Sequence, residues 1–222
     1  MLFRSITVYL PEWDTDFEKW LVEFPVINGK ATYQYNKLLT ALKWTKPHEM
    51  SVAYDVGAHV GLWSMHLLDY FSHVRAYEPI EEYRELYLKN VHRANKWSRR
   101  SWHLRNVGCS DKRELVKFDH APGLSGCTWV DGEGDIELVR IDDDSPPEYI
   151  AFMKFDCEGY EYFALKGAEE TINKWKPCII VEQKPGNAQK YGLRETQACE
   201  LLRSWGAKER AAINGDFIFS WD

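Results

Sequence analysis

Asp55-Val56-Gly57-Ala58-His59-Val60-Gly61 is the most telling stretch of this chain. Ahead of it, Ser51-Val52-Ala53-Tyr54 reads as a short buried strand. Behind it, Leu62, Met65 and Leu68 recur three residues apart with Leu67 beside them, the spacing of an apolar helix face. A strand that ends in an acid, turns through glycines and feeds a helix is how open α/β sheets cradle nucleotide-like ligands. The glycines admit a close backbone approach, and the helix N-terminus offers unpaired N–H groups. The glycine spacing narrows the ligand. A dinucleotide fingerprint needs G-x-G-x-x-G, and here an Asp is followed by G-x-x-x-G.

Outward from this turn the chain alternates strand and helix. Residues 73–77 read as a strand ending in Glu78-Pro79, 81–95 as a helix, 101–109 as a strand, and 115–118 as an extra strand. Residues 152–155 read as a further strand, 162–174 as a helix, 178–181 as a buried strand and 196–205 as a helix. Asn214-Gly215 between 208–213 and 217–221 is a strong hairpin signal. The alternation predicts a doubly wound, mostly parallel α/β sheet with a C-terminal antiparallel hairpin. The glycine-rich stretch 122–133 reads as a flexible segment. Before residue 51 the alternation is absent: 17–24 suits a short helix, Asn28-Gly29-Lys30 a turn, and 35–44 a helix ended by Pro47. Residues 1–50 are therefore expected to form an N-terminal cap on the substrate side, and 51–222 the main domain.

Composition excludes several classes. The 222 residues suit one core, with 45% hydrophobic and 28% charged residues. The net charge of -6 argues against sequence-independent nucleic-acid binding, which wants a basic face. Five cysteines without C-x-x-C or zinc-like spacing fit a reduced, cytoplasmic protein. No apolar run approaches the roughly 20 residues of a membrane helix.

The chemistry concentrates at strand ends. Glu78, about 20 residues beyond the glycine loop, is placed to accept hydrogen bonds from two ribose hydroxyls. Asn106-Val107-Gly108-Cys109-Ser110-Asp111 follows the third strand, where side chain or backbone can read an adenine edge. In Lys154-Phe155-Asp156-Cys157-Glu158-Gly159-Tyr160-Glu161, Asp156 and Glu158 share one side if the strand continues through them. Such acids can take a proton from an attacking hydroxyl. Glu161 reads as structural, and Asp142-Asp143-Asp144 as a solvated loop. Oxygen ligands at Asp156, Glu158 and Glu182 would suit a divalent ion, but the reading adopted from sequence has no metal. Trp13, Trp20 and Trp44 of the cap are candidates for stacking on an acceptor, with ordinary packing the favoured alternative.

Residues 55–61, the Ala76-Tyr77-Glu78-Pro79 strand end, residues 106–111, residues 153–168 and Ile179-Ile180-Val181-Glu182 together resemble the FkbM family of methyltransferases, over residues 51–221. The resemblance implies a class I methyltransferase (Rossmann-like) fold, S-adenosyl-L-methionine as cofactor, and O-methylation of a small-molecule or carbohydrate hydroxyl. Carried over by motif, Asp55, Gly57, Gly61 and Glu78 would bind the cofactor, with Ala58, His59, Asn106 and Val107 beside them. Asp156 and Glu158 would be catalytic, Asp156 nearest the methyl. His59 departs from the Asn expected of the family. The competing reading is a non-catalytic protein that keeps the fold as a scaffold. No nucleic-acid or membrane partner is expected.

Overall fold

In the computed structural model, residues 8–21, 23–45, 51–96, 100–144 and 149–221 are described. A short helix α1 (Phe17–Leu21), a small hairpin β1 (Val26–Ile27) and β2 (Lys30–Ala31), and α2 (Tyr35–Leu42) precede the first buried strand. Alternation then begins with β3 (Val52–Val56), α3 (Leu62–Leu67), β4 (His73–Tyr77), α4 (Glu81–Ala94) and β5 (Ser101–Arg105). An insert follows: β6 (Gly108–Cys109), β7 (Glu114–Ala121), β8 (Leu124–Glu133), β9 (Ile136–Val139) and the single-turn α5 (Ile141–Asp144). The alternation resumes with β10 (Ile150–Phe155), α6 (Glu161–Lys166), α7 (Glu169–Trp175), β11 (Cys178–Glu182) and α8 (Gln197–Ser204), and closes with β12 (Lys208–Ile213) and β13 (Asp216–Ser220).

Seven strands form the central sheet in the order β12-β13-β11-β10-β3-β4-β5. All run parallel except β13, which pairs antiparallel with both β11 and β12 and so lies one strand in from the edge. Successive residues of a strand face opposite sides, and the core divides accordingly. Val52, Tyr54 and Val56 pack with Met153, Phe155, Ile179, Val181 and helices α6 to α8 on one face. Ala53, Phe152 and Ile180 pack with α2, α3 and α4 on the other. Both faces are covered, so β3, β10 and β11 are buried at every position. Phe17, Leu38 and Ala41 of the N-terminal region belong to the second of these cores.

Four expectations change. The strand read over 101–109 stops at Arg105, and Gly108–Cys109 turns away to pair with β9 in a second sheet of order β6-β9-β7-β8. The stretch read as flexible is the ten-residue strand β8, paired along β7. The helix read over 162–174 is two helices. Asp142 causes the break: its carboxylate accepts Glu170 N (3.1 Å) and Thr171 N (2.8 Å), starting α7 afresh. Asp144 pairs with Arg75 and Arg105 at 2.8 and 2.5 Å. The acidic run is thus a helix of structural ion pairs rather than a solvated loop. Pro47, expected to end α2, lies outside the described residues.

Candidate active site

The sheet register builds the site. Val56 is paired with Tyr77 on one side and Phe155 on the other, and Phe155 with Val181. Four strands therefore end at one level. The residues that emerge there, read across the sheet, are Glu182, Asp156, Gly57 and Glu78. This carboxyl edge opens into a cleft of about 960 Å³ that includes solvent-open space. The insert and the N-terminal region supply its roof, through Phe118, Ser125 and Val130 and through Phe17 and Tyr33.

The two glycines of the loop serve packing as much as ligand approach. Gly57 has φ +77°, and a Cβ there would overlap the Asp156 carbonyl oxygen of the neighbouring strand. Gly61, at φ +88°, would clash with Val91 and Tyr87 of α4. The loop also continues the ladder: Gly57 N and Ala58 N both donate to Tyr77 O, at 3.1 and 3.0 Å. Asp55 is fully buried beneath it, accepts Ser64 Oγ at 2.7 Å and faces Lys154 Nζ at 3.6 Å.

Glu78 is 4% exposed and accepts two backbone N–H groups, His59 on one oxygen and Ile80 on the other, each at 2.8 Å. Burial pushes its carboxyl up to about 7, opposed by those two bonds. An ionised carboxylate has about four acceptor positions, so one lone pair on each oxygen is left for a ligand. Pro79, Ile80, Tyr83, Gly108 and Leu138 continue the cleft wall from this point.

His59 takes the left-handed conformation, φ +49°. Its ring stands edge-on to Tyr83 and Phe17, at 4.6 and 5.7 Å between centroids. Asp14 Oδ2 accepts both Ser125 N at 2.9 Å and the Ser125 hydroxyl. The Ser125 proton is therefore committed to Asp14, and its oxygen accepts from His59 Nε2–H at 2.8 Å. Burial pulls the imidazole down to about 4, so it is neutral at physiological pH with Nδ1 as the acceptor.

Asp156, Glu158 and Glu182 converge, with carboxylate oxygens all within 4.8 Å of one another. They differ in state. Burial would raise Asp156, but Lys154 Nζ at 3.2 Å and then Lys184 outweigh it and hold the carboxyl at about 2. Glu158 accepts Asn187 Nδ2 at 2.7 Å, and Lys184 Nζ lies 3.9 Å away. Burial and then Asp156 raise Glu158 to about 7. Glu182, 1% exposed, is raised well above the usual carboxylate range by burial and by Asp156. Glu161 clamps the loop that presents these acids: its Oε1 accepts Cys157 N at 2.8 Å and Gly159 N at 3.0 Å. It is structural, as read.

Of the residues expected to bind cofactor, Gly57, Ala58, His59 and Glu78 line the cleft, as do Asp156 and Glu158. Asp55 and Gly61 lie beneath or behind the loop. Asn106 and Val107 do not reach the cleft: Asn106 is exposed and Val107 joins the core, while Gly108 and Cys109 take the lining position. The strand's early stop at Arg105 is the reason. Trp13 packs on His120 and donates to Glu82, and Trp44 lies under Arg210, so neither lines the cleft. The Trp20 side chain is outside the described residues. Lys154 and Lys184 were missed from sequence. Lys154 carried a signal, a charge inside the apolar strand Phe152-Met153-Lys154-Phe155. Tyr33, Ser125 and Asp14 carried none.

Residues 55–207 match the methyltransferase FkbM domain, and the chain belongs to that family. The resemblance read from its motifs is borne out. Among curated proteins none matches the sequence. Among solved structures, the methyltransferase FkbM from Methylobacillus flagellatus KT is similar at 19% identity and TM-score 0.55, with 94% of this chain and 60% of that one covered. The present chain thus spans less than two thirds of that relative. A precorrin-6y C5,15-methyltransferase from Geobacter metallireducens GS-15 aligns at 16% identity and TM-score 0.51, covering 90% and 95%. A Streptococcus mutans protein solved in complex with SAH aligns at 9% identity and TM-score 0.52, covering 84% and 94%. These likenesses establish the class I methyltransferase fold. Among the described residues no helix is long and apolar enough to cross a membrane.

Proposed function

We propose that this chain transfers a methyl group from S-adenosylmethionine to a hydroxyl of a small molecule or carbohydrate. One observation carries the reading: the glycine loop with Glu78 and the acids Asp156 and Glu158 open into a single cleft from adjacent strand ends. The cofactor suits the residues present. Glu78 keeps a free lone pair on each oxygen for the ribose hydroxyls, and the wall running on through Pro79, Ile80 and Leu138 is apolar, as a flat base requires. When bound, S-adenosylmethionine supplies an electrophilic methyl on a sulfonium. SAH in the Streptococcus mutans relative is consistent with this assignment.

The protein's own part is alignment and proton removal. As the acceptor oxygen bonds the methyl carbon, the sulfur–carbon bond breaks and its electron pair stays on sulfur. The hydroxyl proton must leave, and Glu158 is better placed than Asp156 to take it. Asp156 is committed to Lys154 at 3.2 Å, whereas Glu158 has one hydrogen bond and only a distant ammonium. Asp156 then orients and Glu158 accepts. Tyr33 and Phe17 of the N-terminal region border the acceptor side, which gives residues 1–50 the role of a substrate cap and 51–222 that of the catalytic domain.

The test is Glu158→Gln, assayed with labelled S-adenosylmethionine against a panel of hydroxyl-bearing acceptors. Turnover is expected to fall about 10²- to 10⁴-fold, the range for a lost general base, with SAH affinity unchanged. Turnover within a factor of two or three of wild type would remove Glu158 from the reaction.

A further inference from the structure

We propose that Asp156, Glu158 and Glu182 bind a divalent cation, and that the cation chelates an acceptor carrying two adjacent oxygens. The role in transfer rests on the methyltransferase reading above; the binding does not. Oxygens on one hard cation, at roughly 2.0–2.6 Å from it, lie no more than about 5 Å apart. The three carboxylates meet that bound, with ligand oxygens within 4.8 Å of one another. Two of the three sit on or directly after neighbouring parallel strands, and the Glu161 clamp fixes the loop bearing Glu158. The spacing is therefore set by rigid backbone.

Glu182 supplies the independent sign. It is 1% exposed, and neither of its oxygens accepts an aligned hydrogen bond. Lys184 Nζ is 2.5 Å from Oε1 without the alignment of a hydrogen bond, and the other near neighbour of the group is the Asp156 carboxylate, itself an acceptor. Acids gathered in a buried site without a well-aligned donor are costly, and a cation shared by Glu182, Asp156 and Glu158 would displace their protons and hold all three. Lys184 covers the group unevenly: it is 2.5 Å from Glu182 but 3.9 Å from Glu158, and its side chain is 39% exposed. Lys154 cannot serve, being held between Asp55, Asp156 and the Gly57 carbonyl. Lys154 and Lys184 are the ammonium groups that pair with the acids Asp55, Asp156, Glu158 and Glu182, and only Lys184 stands where a dication would replace it.

The donor set is all oxygen, which selects magnesium, manganese or calcium over zinc. Three carboxylates leave about three positions of an octahedral shell open toward the cleft. An acceptor with adjacent hydroxyls, or a hydroxyl beside a carboxylate, fills two of them and is held with one oxygen toward the methyl. Glu158 can hold the ion through Oε1, the oxygen facing Lys184, and receive the acceptor's proton on Oε2, beside Asn187.

Mn²⁺ titration of the whole chain, without cofactor and followed by electron paramagnetic resonance, tests the site. One Mn²⁺ per chain is expected. Glu182→Gln should weaken it about tenfold or more. Lys184→Met should tighten it, a gain that misfolding cannot imitate. No uptake at millimolar Mn²⁺, or equal uptake by wild type and Glu182→Gln, overturns the proposal. A parallel SAH titration separates the two readings: SAH binding without Mn²⁺ removes only the cation, and Mn²⁺ binding without SAH keeps the site while removing its role in transfer.

Discussion

At His59 three parts of the chain meet: the glycine loop, the insert through Ser125, and the N-terminal region through Asp14 and Phe17. The imidazole is held neutral because burial lowers it to about 4 against an ordinary value of 6.5. The sign follows. Above pH 6.5 neither state is protonated, so the ring exerts no pH effect on stability. Below it the unfolded chain gains a proton that the folded ring refuses, and stability is lost as pH falls toward 4. Replacing His59 by Asn, which tolerates the left-handed backbone, removes the effect. The stability difference between the two proteins should therefore shift toward the variant by up to about 2 kcal/mol between pH 7.5 and pH 5, read from urea unfolding at each pH. A difference that stays flat across that range would mean the ring is solvated and protonates freely. Nothing in the sequence announced this role, because the partners Asp14 and Ser125 are 45 and 66 positions away and no periodicity links them. Glu78 and Asp156 were legible for the opposite reason: each directly follows a strong strand signal, and strand ends in parallel sheets face the ligand.

Among the elements, the parallel strands read clearly and the insert did not. β3, β10 and β11 are short apolar runs buried on both faces, a pattern that survives any detail of packing. β8 was misread because its glycines and polar residues suit a loop, and only pairing with β7 makes it a strand. That error hid the roof of the cleft. The break between α6 and α7 was equally invisible, since the cap comes from Asp142 on another element. Asp14 is the joint between α1 and β8, accepting Phe17 N at 2.8 Å as well as the Ser125 groups. Asp14→Ala leaves buried donors unpaired and should cost about 1–3 kcal/mol in urea unfolding. It should also increase proteolysis of the N-terminal region. A change under about 0.5 kcal/mol would show that the roof does not depend on this joint.

For the whole molecule, the strand order brings together in one cleft residues as far apart as Gly57, Glu78, Asp156 and Lys184, with Glu182 buried beside Asp156, and the family match over residues 55–207 fits that architecture. The acceptor half was the less legible part, because its walls come from Tyr33, Phe118, Val130 and Lys184, drawn from segments with no common motif. The central claim is that the glycine loop and Glu78 hold an S-adenosyl cofactor. Calorimetric titration with SAH, with NAD as control, addresses it directly on the wild type and on Gly57→Ala, where the new Cβ meets the Asp156 carbonyl. Micromolar binding of SAH, none of NAD, and loss in a variant whose circular dichroism stays folded is the predicted result. A folded wild type that binds no SAH, or binds NAD equally well, would contradict the account.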